Sequence, residues 1–255
     1  MAIGPFLGSN RYAEAQQAKA NDRGKDFASE INQLGPPHLL RLVEAGSVGL
    51  EFNDAKLQAL KKSAITEFHI QASFRNSYRI HEANQNSPES SRTVTVKYSK
   101  WKFAITHKVV LPSDFLWENK WYPVLLKHEF DHVAISSDPR IALIAERLFA
   151  QQDEFRVSLE SDETQEKLIG RLVQERFDER KSWLQNWIQR AYDELDEISS
   201  NGLKAIDDRP EFFRDVHSEE KLRGANFGEI KRIQSAFRHK TYRDPDTHFK
   251  LLDLP

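Results

Sequence analysis

The sequence predicts an α+β fold in which a small antiparallel sheet is followed by a helical core. Apolar and polar residues alternate between residues 65 and 110, which is the period of β-strands. From about residue 117 to 198 the apolar residues instead recur with the period of a helix. The predicted strands also follow one another too closely for the crossover connections that a parallel sheet requires.

The alternating region has three parts. Residues 65–80 predict one or two strands, and the turn-forming sequence NQNSPESS at 84–91 separates them from a second alternating stretch at 94–109. The phase of that second stretch shifts at Ser99–Lys100, which indicates a tight turn or a β-bulge. The sequence Leu-Pro-Ser at residues 111–113 ends the strand.

Three helices are predicted after the sheet. They span residues 117–135, 140–157 and 162–198, and shorter helices are expected at 55–63 and 219–237. The sequence Ser-Ser-Asp-Pro at 136–139 separates the first two, with Ser137 or Asp138 as the N-cap of the second helix and Pro139 in its first turn. Asn201–Gly202 ends the third helix.

The length of 255 residues suits one large domain or two small ones. Residues 1–35 are polar and rich in Ala and Gln, so we expect a loosely ordered N-terminal segment. Residues 36–200 form the predicted domain, and residues 201–255 form a C-terminal extension that packs on it. The N-terminus has no basic region followed by a long apolar core, and no apolar run approaches the length of a membrane span. We therefore expect a cytoplasmic protein without a membrane partner, or one exported by a route that the sequence does not reveal.

Charge and cysteine content exclude several classes of function. The formal net charge is only -2, so no overall positive field indicates a nucleic-acid partner. The chain has no cysteine, which excludes disulfides, thiolate zinc sites and a cysteine nucleophile. Any metal ion must therefore be held by His, Asp or Glu.

The sequence His-Glu-Phe-Asp-His at residues 128–132 has the spacing H-E-x-x-H. On a helix, His128 and His132 project from one face, one turn apart, and both imidazoles can reach one Zn²⁺. Glu129 is rotated by about 100° around the helix axis. Its carboxylate can therefore act as general base toward a water that the zinc activates, and can later pass the proton to a leaving amine.

The residues around the motif favour a buried site. Trp121, Val124 and Leu125 precede His128 by one to two turns on the same side, and Ile135 follows the motif. Two buried imidazoles without a metal ion or hydrogen-bond partners would be costly. The alternative is a pair of surface histidines, or of core histidines held by hydrogen bonds.

The segment from Val94 to Asp196 resembles the zincin metallopeptidases, and more closely a bacterial domain-of-unknown-function family of predicted zinc peptidases. The resemblance is carried by a strand that ends in VVLP, a Trp-containing helix start (LWENKWYPVLLK), the motif HEFDHVAI and the pair Tyr192–Asp193. It implies a zincin-like catalytic domain over residues 36–200 that binds zinc and hydrolyses peptide bonds. It also implies Asp193 as the third zinc ligand and Tyr192 as a hydrogen-bond donor to the developing oxyanion.

Two departures from these patterns concern the third ligand. The family has a Thr and a His-Gly after the Tyr-Asp pair, whereas this chain reads YDELDEISSNG, so a ligand carried by that histidine is missing. The metzincin extension of the motif requires a glycine where this chain has Ile135, and its last ligand position is Asp138. A β-branched residue resists the turn that the glycine makes.

Three carboxylates are therefore candidates for the third ligand. Asp138 has the metzincin spacing, but the sequence favours its interpretation as a helix cap before Pro139. Glu146 faces the site if the first two helices form a hairpin, and otherwise is a surface charge. Asp193 is favoured by the resemblance alone, and the end of an ordinary amphipathic helix is its alternative.

The sequence supports three readings of function. The first is a zinc peptidase acting on a peptide or protein substrate, with the strand at residues 101–110 as a place where a substrate can add as a further strand. His107 on that strand is expected to be a hydrogen-bonded core or rim histidine.

The second hypothesis is a non-catalytic helical interaction module with an accidental or degenerate motif. The third is a metal-dependent hydrolase of a non-peptide bond. Cleavage specificity and oligomeric state have no signal in the sequence.

Overall fold

The computed structural model describes residues 47–81, 91–115, 121–149, 152–158 and 164–225. Within these ranges the elements are β1 (Val48–Phe52), α1 (Asp54–Leu60), β2 (Ile65–His81), β3 (Ser91–Leu111), α2 (Trp121–Ser136), α3 (Pro139–Phe149), β4 (Asp153–Ser158), α4 (Gln165–Ser199), α5 (Arg209–Asp215) and α6 (Glu219–Gly224). The predicted N-terminal segment 1–35 and most of the predicted extension lie outside the described residues. None of the described helices combines the length with the apolar composition that a membrane crossing demands.

The fold is mixed α/β. Its sheet contains both parallel and antiparallel pairs, so the prediction of an antiparallel sheet was wrong. β3 pairs with β2 and with β4 in antiparallel orientation, but β1 runs parallel to β3, with Val48 opposite His107 and Phe52 opposite Leu111. The connection from β1 to β3 passes through α1 and the whole of β2, so it is long enough for a parallel pair. Strand β1 was missed although Val48, Leu50 and Phe52 alternate with Gly49 and Glu51, because a stretch of five residues is too short to indicate which strand it pairs with.

The phase shift at Ser99–Lys100 is a β-bulge, as the sequence indicated. Ser73 pairs with Lys102 and Arg75 pairs with Ser99, so β3 carries one extra residue between these two pairs. Lys100 has φ 50°, the left-handed conformation that marks such an insertion. The tight turn that was the alternative is excluded, because β3 continues through this point as one strand.

The helix predicted at residues 140–157 is too long. α3 ends at Phe149, and β4 pairs with the N-terminal part of β3, where Phe155 lies opposite Val94. Residues 153–157 alternate between more and less exposed side chains, but a stretch this short does not separate the strand period from the helix period. The pairing edge that β3 offers determines the structure of this segment.

Helix α2 contains the whole motif, in agreement with the prediction for this segment. Its buried side chains include Leu125, Phe130 and Val133, which pack against β1 and the end of β3. Val124 was expected on the buried face but is 41% exposed. Trp117 and the side chain of Trp121 lie outside the described part of the chain.

One large core joins the helices to a face of the sheet. The apolar face predicted for the second helix is buried, because Ile141, Ile144 and Leu148 of α3 are at most 1% exposed. Buried residues of α4 in the same core include Phe177, Leu184, Trp187, Ile188, Ala191, Tyr192 and Leu195. This packing sets the C-terminal half of α4 beside α2, which brings the two helices together at the motif.

The segment after α4 packs on the same core. Phe213 of α5 and Leu222 of α6 are buried in it. Arg209 forms an ion pair with Asp131 of the motif helix, with its Nε 3.1 Å from Oδ1. The C-terminal segment is therefore anchored to the element that carries the motif. The predicted helix at 219–237 is described only as far as Gly224, where α6 ends.

Candidate metal centre

His128 and His132 lie one turn apart on α2, and their Nε2 atoms are 3.2 Å from each other. Both residues are buried, at 6% and 5% exposure. The sequence-based expectation that the two imidazoles share a buried face is therefore confirmed.

The carboxylate that faces both histidines belongs to Asp196 of α4. Its Oδ1 lies 3.0 Å from Nε2 of His128 and 3.1 Å from Nε2 of His132. The three side chains offer ligand atoms that all lie within 4.8 Å of one another. Two elements far apart in the sequence thus converge on one point.

Asp193, which the resemblance favoured as third ligand, is not part of this cluster. Its side chain is exposed, and its Oδ1 accepts a hydrogen bond of 2.9 Å from Nε2 of Gln189. The helix period explains the difference: Asp196 follows the buried Tyr192 by four residues and so shares its face, whereas Asp193 is rotated away by about 100°. That spacing from Tyr192 was the sequence signal that pointed to Asp196.

The other two candidate ligands lie in different surroundings. Asp138 caps α3. Its carboxylate accepts a hydrogen bond of 2.8 Å from the backbone N–H of Arg140 and forms an ion pair with the Arg140 guanidinium. Burial alone raises the pKa of Asp138, but these contacts with Arg140 outweigh it and hold the pKa below its usual value. Glu146 is exposed on α3. Neither carboxylate belongs to the cluster of metal-ligand atoms.

The donor set fits a zinc ion. With ligand bonds of about 2.0–2.1 Å, two ligand atoms of a tetrahedral zinc site are about 3.3 Å apart. The three separations in the cluster, 3.2, 3.0 and 3.1 Å, are close to that distance. Two imidazoles and one carboxylate also form one of the ligand sets of catalytic zinc, in which a fourth position stays open.

Asp196 is held in its charged form. Burial by itself raises its pKa, but the hydrogen bonds from His128 and His132 outweigh this and hold the pKa well below its usual value. Its other oxygen, Oδ2, lies 3.4 Å from Nζ of Lys62. The cluster therefore contains a permanent negative charge, which suits the binding of a cation.

Glu129 is buried on the neighbouring face of α2, at 3% exposure. Its Oε2 accepts a hydrogen bond of 2.7 Å from the hydroxyl of Thr66 in β2. Burial raises the pKa of Glu129, although the nearby His132 and the bond from Thr66 act in the opposite direction. A raised pKa makes a carboxylate a better proton acceptor, which is a property that a general base requires.

Tyr192 lies against the cluster, with its ring centroid 4.4 Å from that of His132. Its hydroxyl is 2.8 Å from Oγ of Ser136, which in turn lies 2.6 Å from Nε2 of His107. His107 is therefore a hydrogen-bonded core histidine, as expected, and burial lowers its pKa to about 4. Burial also raises the pKa of Tyr192, so its hydroxyl keeps its proton.

These groups open on a groove with a volume of about 990 Å³. Its lining includes both histidines, Glu129, Asp196 and the start of β2 from Ile65 to His69. The metal-ligand cluster and the buried carboxylate of the motif therefore line the same groove.

Comparisons of the chain with protein-family models, with curated proteins and with solved structures found no match.

Proposed function

We propose that this protein is a zinc-dependent peptidase in which His128, His132 and Asp196 hold the metal ion and Glu129 is the general base. The observation that carries the proposal is the single oxygen of Asp196 that faces the Nε2 atoms of both motif histidines at 3.0 and 3.1 Å. If the motif had arisen by chance, a charged carboxylate from a distant helix would not be expected to lie at ligand distance from both of its histidines.

The chain supplies proton transfer and positioning around the metal ion. Zinc, when bound, lowers the pKa of water and polarises a substrate carbonyl. Glu129 takes the proton of the attacking water and returns it to the leaving amine, and its raised pKa suits both steps. Thr66 fixes the carboxylate by its hydrogen bond to Oε2. Tyr192 stays uncharged and lines the site beside His132.

The groove and the sheet suggest how a peptide binds. Within the described residues β2 pairs only with β3, so no described strand occupies its other edge, where a peptide could add as a further strand. Its first residues, Ile65 to His69, line the groove beside Glu129. The strand at 101–110, predicted as the substrate partner, is less suitable, because residues 107–110 are flanked by β1 on one side and β2 on the other.

One observation favours a non-catalytic function. If the Nε2 atoms of His128 and His132 carry protons, both can donate to Oδ1 of Asp196 and satisfy these two contacts without an ion. The cluster would then be a hydrogen-bonded core element of an interaction module. A metal-dependent hydrolase of a non-peptide bond would need the same ligands and base, so only its substrate distinguishes it from the peptidase.

Zinc content and the substitution Glu129→Gln test the proposal. We expect about one zinc per chain in the purified protein, and none after the double substitution of His128 and His132 by Gln. Glu129→Gln is expected to retain zinc and to lose cleavage of a peptide library by at least about 100-fold, since general acid–base catalysis contributes this much. Wild-type protein without zinc would favour the interaction module. Zinc-bound protein that cleaves esters or phosphate esters but no peptide would favour the third reading.

A further inference from the structure

We propose that Ser199 is a positioning residue that decides which nitrogen of His128 faces the metal. The inference rests on the proposed metal site, and it assigns a role to the turn that ends α4. The Oγ atom of Ser199 lies 3.2 Å from Nδ1 of His128, on the side of the ring opposite Asp196.

The direction of this hydrogen bond follows from the other partners of Ser199. A hydroxyl has one proton to donate. The shortest contact of Oγ, at 2.7 Å, is to the carbonyl oxygen of Leu195, which can only accept. The backbone N–H of Gly202, 3.1 Å away, can only donate to Oγ. The contact with His128 is therefore one in which Nδ1–H donates and Ser199 accepts.

This direction keeps a proton on Nδ1 of His128. Nε2 is then the nitrogen that binds a metal ion, and the ion takes the place of any proton that this atom shares with Oδ1 of Asp196, 3.0 Å away. Nε2 is the atom that faces Asp196 and His132, and a lone pair is what a metal ligand must present. Hydrogen bonds from the second nitrogen of a ligating histidine orient the ring and raise its basicity.

The backbone after Ser199 is shaped to hold the ring. Ser200, Asn201 and Gly202 have φ values of 52°, 56° and 79°, three left-handed residues in succession. Residues other than glycine adopt that conformation only at an energetic cost. The turn places Gly202 so close to the imidazole that an added Cβ would lie 2.8 Å from Cγ of His128. Gly202 thus allows both the conformation and the contact.

His132 has no equivalent support among the described residues. Its Nδ1 is buried and has no hydrogen-bond partner there. The two ligands of the motif are therefore unequal: Ser199 sets the ring orientation of His128 and the proton on its Nδ1 before a metal ion arrives, whereas His132 is held only by Asp196 and the ion. This asymmetry makes Ser199 the residue whose loss should affect the site most selectively.

The experiment is a comparison of Ser199→Ala, Ser199→Thr and wild type, with Ser200→Ala as the matched control that removes the neighbouring hydroxyl. Long-range ¹H–¹⁵N spectra of the metal-free protein, with His128 identified from the His128→Gln variant, report its tautomer directly. We expect a proton on Nδ1 of His128 in wild type, Ser200→Ala and Ser199→Thr, and the Nε2–H form, held by Asp196 alone, in Ser199→Ala. Competition with a chromophoric chelator should show zinc affinity lowered about 10- to 100-fold in Ser199→Ala alone.

The outcomes separate this proposal from the proposed function. If wild type binds zinc but Ser199→Ala keeps the Nδ1–H tautomer and the wild-type affinity, the role of Ser199 is overturned and the metal site stands. If wild type binds no zinc, the metal site and the role of Ser199 in it fall together. Gly202→Ala is a second variant that keeps the Ser199 hydroxyl but crowds the ring, and an unchanged zinc affinity there also counts against the proposal.

Discussion

The Nε2 atoms of His128 and His132 face each other at 3.2 Å inside the protein. If both carried a lone pair toward the other, they would repel, so either a proton or a cation has to lie between them. Oδ1 of Asp196, which can only accept, lies 3.0 and 3.1 Å from the same two nitrogens. The cluster therefore has two states, one in which protons occupy these contacts and one with a bound cation, and the second exists only if a divalent ion competes with those protons.

The first prediction is that zinc stabilises the fold. An ion that binds the native state but not the unfolded chain raises the free energy of unfolding, by about 2.7 kcal/mol at a concentration 100 times the Kd. We expect the melting temperature of chelator-treated protein to rise on addition of zinc. His132→Gln should abolish that rise, because the ion loses one of its three ligands. A rise of equal size in the variant would mean that zinc binds elsewhere.

The second prediction distinguishes Asp196 from Asp193. Asp196→Asn removes the charge that faces both imidazoles, whereas Asp193→Asn removes an exposed charge of the same kind three residues earlier. We expect Asp196→Asn to lower zinc affinity by more than about 100-fold, since even the loss of an outer-shell partner costs 10- to 100-fold. Asp193→Asn should leave the affinity within about twofold. The reverse result would restore the assignment made by resemblance.

The motif and its helix were predictable because they depend on local spacing. Four residues separate His128 from His132, and the helix period alone places them side by side. The bulge in β3 was equally local, since the alternation changes phase at Lys100 and the backbone there is left-handed. A sequence pattern that lies within one element carries its own structural consequence.

Features that depend on pairing between distant segments were not predictable in the same way. β1 and β4 are short strands whose structure is determined by the edges of β3 on which they pair. Asp196 is the more instructive case, because its role requires the packing of α4 against α2 across 64 residues of sequence. The buried face of α4 could be read from Tyr192 and Leu195, but nothing in the sequence states which helix lies opposite it.

The third prediction concerns the ion pair of Arg209 and Asp131. The Asp131 side chain is only 6% exposed, and its carboxylate accepts from Nε of Arg209 at 3.1 and 3.2 Å. Arg209→Ala leaves that charge buried without this partner, which typically costs about 3–5 kcal/mol. We expect a loss of this order in the free energy of unfolding, measured by urea denaturation.

The control for this ion pair is Arg223→Ala. Arg223 pairs with Glu219 on the surface, and its side chain is 61% exposed, so its removal should cost less than about 1 kcal/mol. The double variant Arg209→Ala/Asp131→Ala should be less destabilised than the sum of the two single variants, because the second substitution removes the stranded charge. Additive losses would show that the two side chains act independently.

The fourth prediction follows from His217, which is fully buried between α2 and α4. Its Nδ1 accepts a hydrogen bond of 3.1 Å from the indole N–H of Trp187, and its Nε2–H donates one of 2.9 Å to the carbonyl oxygen of Ile135. Both ring nitrogens are thus occupied in the neutral form, and a proton on Nδ1 would face the indole N–H. Burial lowers the pKa of His217 to about 4.

A histidine whose pKa is lower in the folded than in the unfolded state stabilises the protein above the unfolded pKa, which is about 6.5. That stability is lost as the pH falls from about 6.5 to about 4, because the unfolded chain binds a proton that the folded chain does not. The contribution of His217 is at most about 3.5 kcal/mol, because the pKa difference of about 2.5 units corresponds to about 1.4 kcal/mol per unit. His107, whose pKa burial also lowers to about 4, acts in the same window.

His217→Gln isolates the effect, since an amide can accept from Trp187 and donate to Ile135 without titrating. We expect urea denaturation of chelator-treated protein between pH 7 and 4 to show a shallower loss of stability in this variant than in wild type, by close to one proton. At pH 7 the variant should be less stable than wild type, because Gln does not reproduce the packing of the imidazole. The difference in stability between the two proteins should shrink as the pH falls. Parallel curves for the two proteins would mean that His217 does not titrate on unfolding in this range, and that the acid sensitivity of the fold has another source.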